Sequence, residues 1–398
     1  MFNLEYGASL PERERSGVGY PVLGSNGIVG RHAKYLVAGP GIVVGRKGSV
    51  GEVCWSEECF WPIDTAYYVV AKEKTNLRWL FWLLTSIALK RLDAATGVPG
   101  LNRNDVYQLM AHAPRPDEQS RIAAVLDTID DAIAKTEAVI AKLKQVRAGL
   151  LHDLLTRGLD ENGQLRDPVA HPEQFQDSSL GRIPREWKIS TVRELDLSII
   201  DGDRGANYPN EAQLFAQGFC VFLNNKNIVD GNFDLSSAQF ISRERDTLLG
   251  KGKLSLGDIV ITTRGTVGNI ALFRELNPYP HIRINSGMVI LRAYEECFVP
   301  QFFVALWKFL FPSEYRRLSS GSAQPQFPIR DMLQFRLLVP KKTEQERIVS
   351  VSSSVESAVA EQHRVLAKLI PPKSSLMDDL LTGRVRVPEN IMDGALRP

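Results

Sequence analysis

The chain has 398 residues, and its 44% hydrophobic and 24% charged content is typical of a protein with well-packed domain cores. A chain of this length is expected to form about two or three domains. The formal net charge of +2 excludes a chain that is basic over its whole surface, so any nucleic-acid-binding surface must be local.

The N-terminus and the most apolar segment argue against export and against membrane insertion. Residues Met1–Leu10 lack the basic and apolar stretches of a signal peptide. The run Trp79–Leu89 is about half the length that spans a bilayer, so it predicts a buried helix. A cytoplasmic location also fits the cysteines, which have no metal or redox spacing and are predicted to be buried thiols: Cys54, Cys59, Cys220 and Cys297.

Two α+β segments of mostly β structure are predicted in chain order. In the first, Ile42–Val44 and Tyr67–Val70 are short β-branched runs, and an apolar helix follows around Leu77–Leu92. The corresponding elements of the second segment are Ile259–Ile261, Met288–Leu291 and a helix around Val299–Phe311.

A long helix is predicted after each segment. The first begins at Pro116–Gln119, where an acidic first turn is typical of a helix start. Its seam residues alternate steps of four and three, which is the pattern of a coiled coil: Ile122, Leu126, Ile129, Ile133, Thr136, Ile140, Leu143, Arg147, Leu150 and Leu154. The second helix has the same seam at Ile348, Val355, Val359, Leu366, Leu369, Leu376 and Leu380. Pro371-Pro372 predicts a kink or break in the second helix.

The two halves of the chain are an internal repeat. Asp117–Thr156 aligns without a gap with Thr343–Thr382, and GIVVGRKGSVGEV from Gly41 aligns with DIVITTRGTVGNI from Asp258. Ile63–Ala66 is placed on Ile284–Gly287, and Tyr20–Gly30 matches the segment from Cys220 to Gly231 more loosely. The duplication predicts two similar heads whose long helices pair antiparallel about a pseudo-twofold axis.

The sequence resembles the specificity subunits of type I restriction–modification systems. The resemblance rests on the order of the segments, on GDIVITTRGTVGNIALF from Gly257, and on the linker pieces TRGLDENGQLRD and LGRIPREW. It rests also on the helix signatures EQSRI and EQERI, followed by DLLTRGL and DLLTGRV. The resemblance covers nearly the whole chain, and together these motifs are specific.

The resemblance implies a fold, a set of partners and a division of labour. It implies two target-recognition domains at 1–115 and 185–341, spacer helices at 116–157 and 342–384, a linker at 158–184 and a tail at 385–398. The recognition domains would read the two halves of a split double-stranded DNA site, and the antiparallel coiled coil would set the spacer. Two methyltransferase subunits and motor-nuclease subunits would join, bringing S-adenosylmethionine, ATP and magnesium, so that this chain is a non-catalytic subunit without a cofactor of its own.

DNA-reading residues are expected in the polar loops, where cations suit phosphates and amides suit base edges. Lys47 and Arg264 lie in the loop that both halves share and are expected to position DNA, whereas Gly24–Asn26 and Asn224–Lys226 differ and are expected to discriminate between sequences. The full set of candidates is Ser25, Asn26, Arg46, Lys47, Ser49, Arg204, Asn224, Asn225, Lys226, Thr263, Arg264, Thr266 and Asn269. Asp201–Arg204 and Gln324–Gln326 are weaker candidates.

Four alternatives remain open from the sequence. The shared loop is equally compatible with a structural hairpin that carries a solvated arginine. The whole chain could be a coiled-coil scaffold with protein-binding heads, or a recognition subunit of a related methylation-based phage-defence system. A fused methyltransferase or nuclease is the fourth alternative, although no nucleotide-binding motif, metal-ligand spacing or nucleophile–base arrangement supports it.

The first half departs from the pattern at its start. The second half begins with Trp187–Leu195, and the first has no counterpart before Tyr6. Either the first domain is trimmed or its true start lies upstream, and the first sheet is expected to have a weakened edge.

Overall fold

The computed structural model describes residues 1–92, 100–195, 197–274, 279–293, 298–319 and 325–388. The chain forms two compact units. Unit 1 comprises Met1–Ala141 and Ala360–Pro398, and unit 2 comprises Lys142–Val359. Within the described ranges, no helix has the length and apolar character needed to span a membrane.

Unit 1 contains a four-stranded and a three-stranded sheet. Its strands are Phe2–Tyr6 (β1), Tyr20–Gly24 (β2), Gly27–His32 (β3), Gly41–Gly45 (β4), Val53–Ser56 (β5), Trp61–Pro62 (β6) and Ala66–Ala71 (β7). The sheet orders are β1-β7-β4-β5, which is antiparallel, and β3-β2-β6. Strand β1 lies at the edge of the four-stranded sheet and pairs with β7 along all five of its residues.

The helices of unit 1 pack on the four-stranded sheet. They are Leu77–Ser86 (α1), Arg103–Tyr107 (α2) and the first part of Pro116–Thr156 (α3). Helix α1 begins after Asn76, whose side chain caps it by accepting a hydrogen bond from the backbone N–H of Trp79. Trp79 and Leu80 are fully buried, which confirms the buried helix predicted from this apolar run.

Unit 2 repeats this plan with additional elements. Its strands are Phe175–Ser178 (β8), Gly181–Pro184 (β9), Lys188–Thr191 (β10), Leu197–Asp201 (β11), Cys220–Leu223 (β12), Ile228–Val229 (β13), Asn232–Phe233 (β14), Gln239–Ile241 (β15), Ile259–Thr262 (β16), Ile270–Leu272 (β17), Ile282–Ile284 (β18), Met288–Ala293 (β19) and Arg336–Val339 (β20). The helices are Arg243–Leu248 (α4), Pro300–Leu318 (α5), Ile329–Met332 (α6) and the first part of Lys342–Leu381 (α7).

The sheets of unit 2 match those of unit 1. The order β11-β19-β16-β17 corresponds to β1-β7-β4-β5, and β15-β12-β18 contains the same parallel pair as β2 with β6. Three further pairs, β8-β9, β10-β20 and β13-β14, have no equivalent among the paired strands of the described part of unit 1. The α+β fold with an internal repeat, expected from the sequence, is confirmed.

Backbone hydrogen bonds define which residues of the two units are equivalent. The N–H groups of Ile63 and Asn285 donate to the carbonyls of Leu23 and Leu223, so Ile63 corresponds to Asn285. The predicted alignment of Ile63 with Ile284 is therefore wrong by one residue. The two halves differ in length just upstream of β18, and no shared motif fixes the register there. For the long helices, the alignment without a gap is correct: Gln119 and Gln345 each donate through the side-chain amide to the carbonyl of the proline five residues earlier.

The long helices α3 and α7 pack against each other, antiparallel in each unit. In unit 1, Lys373 pairs with Asp130, and Arg386, just beyond α7, pairs with Glu118 at the start of α3. In unit 2, Arg147 lies 3.0 Å from Glu356, and Arg347 donates to the carbonyl of Asp160 beyond α3. The most deeply buried seam residues, at 5% exposure or less, are Ile122, Leu126, Ile140, Leu154, Ile348 and Leu380.

Helix α7 continues through Pro371-Pro372, so the predicted break is absent. Two prolines remove two amide donors, but the residues that follow them remain packed on unit 1. Lys373 binds Asp130, and Leu376 and Met377 pack against the hydrophobic core of unit 1. Tertiary packing here outweighs the local cost of proline.

The segment between α3 and β10, expected to be a linker, is folded. It contains the hairpin β8-β9, and Ile183 and the following Trp187, each 2% exposed, belong to the core of unit 2. Among the cysteines, Cys220 is buried as expected, whereas Cys54 and Cys59 are only half-buried, and Cys297 lies outside the described residues.

Candidate nucleic-acid interface

Three loops of unit 2 meet at one edge of its sheets. Loop A is Thr263–Gly268, between β16 and β17; loop B is Asn224–Asn227, after β12; loop C is Asp201–Gly205, which begins at the last residue of β11. Most of the candidate residues of the second half lie in these loops. Gln326 joins them through a backbone bridge to Arg264, whereas Gln324 lies outside the described residues.

Loop A has the same backbone conformation in both units. Gly265 and Gly268 have φ of +70° and +87°, and their equivalents Gly48 and Gly51 have +77° and +73°. In this left-handed region, a residue with a Cβ is strained, so the repeated glycines serve the turn itself. The hydrogen bonds from Thr263 and Arg264 to Gly287 repeat as bonds from Arg46 and Lys47 to Thr65.

Loop B is held by its own asparagines. The Asn224 side chain accepts from the backbone N–H of Lys226 at 3.0 Å, and Asn225 donates to the carbonyl of Arg264 in loop A. Asn269, just after loop A, donates to the carbonyl of Ile228 at 3.0 Å. These three amides, predicted to contact DNA, therefore have structural partners that a sequence pattern does not reveal.

Loop C is fixed by Asp203. Its carboxylate accepts from the N–H groups of Gly205 and Gly250, each at 2.9 Å, and these bonds lower the pKa of Asp203. Arg204 lies 3.1 Å from Asp201 and donates to the carbonyl of Ser286. A polar cavity of about 180 Å³ opens between loops A and C, lined by Asp201, Arg204, Thr263, Arg264 and Gln326, among others.

Only the candidates with exposed side chains can contact a ligand. Arg264, Thr266, Lys226 and Arg204 are exposed, whereas Thr263 is only 6% exposed. Within the described chain, neither Arg264 nor Lys226 forms a side-chain hydrogen bond or an ion pair. Because a guanidinium or an ammonium without a protein partner remains available to a phosphate or a base edge, these two cations are the strongest candidates in unit 2.

The equivalent surface of unit 1 has a different chemistry. Arg46 donates twice to the carbonyl of Asp64, at 3.1 and 2.7 Å, and stacks 5.2 Å from the centre of the Tyr6 ring. The guanidinium of Arg103 lies 5.1 Å from the centre of the same ring, and the ring of Tyr67 lies 5.1 Å from that of Tyr6. Lys47 and Asn26 are exposed at the positions of Arg264 and Lys226, and Ser25 and Ser49 are half-buried.

Sequence reasoning missed Tyr6 and Arg103 as members of this surface. They are distant in sequence from Arg46, and only the pairing of β1 with β7 brings the ring of Tyr6 beside Tyr67. The sequence offered one signal of a different surface in unit 1. The loop that both halves share has Arg46 in the first half where the second half has Thr263.

The fold and the loops define a class of protein: two similar α+β heads, each with an exposed cation on a shared glycine loop, and two long helices that pack together. The family described as "Type I restriction modification DNA specificity domain" matches residues 1–145. The chain is 22% identical to the MjaVIII type I restriction enzyme specificity subunit of Methanocaldococcus jannaschii, over 75% of this chain and 67% of that protein. It is 30% identical to the EcoprrI specificity subunit of Escherichia coli over 31% of each chain.

A solved structure gives the same result for the fold. The type I restriction–modification S subunit from M. genitalium superposes with a TM-score of 0.61 at 17% identity, covering 96% of this chain and 93% of that one. The chain is therefore similar in fold to a type I restriction–modification S subunit, and its first 145 residues match the DNA specificity domain of that family.

Proposed function

We propose that this chain reads a split double-stranded DNA target, one half with each head, and that it is the non-catalytic recognition subunit of a type I restriction–modification complex. The observation that carries the proposal is the repeated loop A, which presents Lys47 in unit 1 and Arg264 in unit 2 from the same backbone frame. A frame used twice with a cation at the same position suits a ligand feature that occurs twice, and the DNA phosphate backbone is such a feature.

The surroundings of the shared cation support separate reading by the two heads. In unit 2, Arg264 is accompanied by Lys226, Arg204 and Gln326. In unit 1, the loop of Lys47 is accompanied by Asn26, Arg103 and Tyr6. Phosphate contacts set the position of the protein, while groups that differ between heads read the base edges. Lys47 and Arg264 would position DNA, and Asn26 and Lys226 would contribute to the choice of sequence.

The paired helices and the chemistry of the complex complete the proposal. Helices α3 and α7 would set the spacer between the half-sites and dock two DNA-methyltransferase subunits. S-adenosylmethionine would bind to those subunits, and ATP and magnesium would bind to motor-nuclease subunits. The chain itself would contribute recognition and no chemistry.

The test is the pattern of adenine methylation in cells that carry the complete system, read by single-molecule sequencing. We expect a split motif that disappears when this gene is deleted. Lys226→Ala should relax or change one half of the motif and leave the other intact. Arg264→Ala should lower methylation at all sites without altering the motif, because a phosphate contact carries no sequence information.

A binding measurement separates the two roles. For the assembled complex on its own target, Arg264→Ala and Lys47→Ala should each reduce the slope of log affinity against log salt by about 1. Lys341→Ala, an exposed cation just before α7 whose partner is Glu186, is the matched control and should leave the slope unchanged. An unchanged motif and unchanged slopes in all of the loop variants would refute the proposed interface.

A further inference from the structure

Two arginines of unit 1 flank an exposed tyrosine beside loop A. The guanidinium carbons of Arg46 and Arg103 lie 5.2 and 5.1 Å from the centre of the Tyr6 ring. The Tyr6 ring packs in turn on the ring of Tyr67, which is buried. Tyr6 itself is 51% exposed, and both arginines are half-buried. The three side chains therefore form one accessible surface that is supported by a buried ring.

One edge of the Arg46 guanidinium is already occupied. Its Nε and Nη2 atoms donate to the carbonyl of Asp64 at 3.1 and 2.7 Å. In the described part of the chain, Nη1 has no hydrogen-bond partner, and Nη2 carries a second hydrogen that is not used. Because the bonds to Asp64 hold the planar group in place, the fork of Nη1 and Nη2 is pre-organised for a ligand.

Arg103 is held at the outer edge of β1. It is the first residue of α2, and the hydroxyl of Tyr107 in the same helix accepts a hydrogen bond from the N–H of Leu4 at 2.8 Å. Nη1 of Arg103 donates to the carbonyl of Leu4 at 3.3 Å. Nε and Nη2 have no hydrogen-bond partner among the described residues. Two contacts with one residue of β1 thus fix α2 and leave one edge of this guanidinium available.

Backbone pairing identifies the same place in unit 2. In the four-stranded sheets, Tyr6 pairs with Tyr67, and Asp201 pairs with Val289. A single bridge ties the segment before the next helix to loop A, through Gly100 in unit 1 and Gln326 in unit 2. The unit 2 counterparts of Tyr6, Arg46, Tyr67 and Arg103 are therefore Asp201, Thr263, Val289 and Ile329.

All four counterparts line the polar cavity of about 180 Å³ in unit 2. Thr263 and Ile329 replace the two guanidiniums by uncharged side chains, and Asp201 replaces the exposed ring by a carboxylate. The glycines and backbone bonds of loop A are nevertheless the same in both units. Side chains that change at every position around a constant loop are suited to a task that differs between the heads.

Guanine is the base whose major-groove edge suits the surface of unit 1. It presents two acceptors, N7 and O6, and the fork of an arginine donates to both. Adenine and cytosine each present an amino donor, which would face the donors of a guanidinium. Among the described residues, neither Arg46 nor Arg103 forms an ion pair, so no carboxylate paired with them is placed to accept from such an amino group.

We infer that Arg46 and Arg103 read guanine in the half-site of unit 1, and that Tyr6 is a positioning residue for both guanidiniums. Arg46 would donate to guanine through Nη1 and Nη2, and Arg103 through Nε and Nη2. Lys47, on the shared loop, would hold the phosphate backbone nearby. This role rests on the proposed function, since it names the base that the first head reads.

The test begins with methylated adenines in cells that carry the complete system with Arg46→Thr or Arg103→Ile. Each exchange installs the residue that unit 2 has at that place. We expect a guanine in one half of the motif to be replaced by a mixture of bases, and this half must be the one that Lys226→Ala leaves intact. An unchanged motif in both variants, or no guanine in that half, would overturn the inference and leave the proposed function standing. A wild-type system without a split motif would refute the proposed function itself.

Two further variants separate contact from stability. Tyr6→Leu removes the ring and should relax the same guanine, whereas Tyr6→Phe keeps the ring and should retain it. The matched control is Arg78→Ala: this arginine also stacks on a ring of unit 1, 4.6 Å from the centre of Trp55, but it belongs to α1 and pairs with Asp127 of α3 at 2.7 Å. Its loss should leave the motif unchanged, and a relaxed guanine in Arg78→Ala would contradict a direct contact.

DNA binding by the assembled complex tests the contact atom. The probe is the target duplex with 7-deazaguanine, which lacks the N7 acceptor, at the guanine that the variants relax. We expect the wild-type complex to bind this duplex about tenfold more weakly than the natural one. The double variant Arg46→Thr with Arg103→Ile should bind the two duplexes equally. No loss with the wild type, or an equal loss with the double variant, would overturn the inference.

Discussion

The two units share a set of backbone hydrogen bonds and differ in the side chains that surround it. Loop A, the parallel pair of strands and the glutamine bonds before the long helices occur in both. The surface beside loop A differs: unit 1 stacks Arg46 on Tyr6, and unit 2 places Thr263 and Asp201 at those positions. A duplicated fold can therefore keep its scaffold while each copy acquires its own recognition chemistry.

The units also differ in how the edge beside the long helices is closed. In unit 2, Trp187 and β10 cover it, and in unit 1, Met110 stands exposed at the same place. The four-stranded sheet nevertheless has the same strand order in both units, so its pairing is set by the strands that the two units share.

The largest expected effect is the loss of the covering side chain in unit 2. Trp187→Ala removes a buried indole and its bond to Glu344, and should destabilise unit 2 by about 4–5 kcal/mol. Met110→Ala, at the equivalent edge of unit 1, should change stability by less than about 0.5 kcal/mol because the side chain is exposed. Hydrogen exchange followed by mass spectrometry reports the two units separately. Equal losses of protection would contradict the comparison.

The sequence was sufficient for the repeat, the long helices and the main strands, because their periodicity and motifs are local. It was insufficient for the hairpin β8-β9, whose polar residues and glycines resemble a linker and whose burial comes from Ile183 and the nearby Trp187. The structure brings the candidate loops of unit 2 together. The roles of Asn224, Asn225 and Asn269 were not predictable, since each depends on a backbone carbonyl or N–H group whose position only the fold supplies.

A smaller effect is expected from two equivalent glutamates at the starts of the long helices. The side chains of Glu344 and its partner Arg166 are 6% and 8% exposed, whereas Glu118, at 3%, pairs with Arg386, at 61%. Glu344→Gln leaves a buried guanidinium without its counter-charge and should cost about 3 kcal/mol. Glu118→Gln should cost about 1–2 kcal/mol, because water can solvate Arg386.

Chemical denaturation of the full chain, combined with hydrogen exchange, measures both losses. The double variant Arg166→Met with Glu344→Met is the control, since removing both charges should recover part of the stability lost in Glu344→Gln. A larger loss for Glu118→Gln than for Glu344→Gln would contradict the ranking by burial.

The last effect appears only on acidification, is confined to unit 2, and concerns Glu314 of α5. Burial would raise the pKa of this carboxyl, but hydrogen bonds from Arg317 and Arg336 outweigh it and lower the pKa to about 2. Because the folded-state pKa lies below the ordinary value of 4.5, the carboxylate stabilises unit 2 above that value and loses this contribution as the pH falls toward 2. Unit 1 has Met110 at the position of Arg336 and cannot form this bridge.

We expect acid to weaken the protection of β20 from hydrogen exchange. Glu314→Gln should flatten the pH dependence of this protection between about pH 5 and pH 2 without altering the pH dependence of unit 1. A wild-type profile around β20 that is already flat over this range would show that the bridge does not contribute.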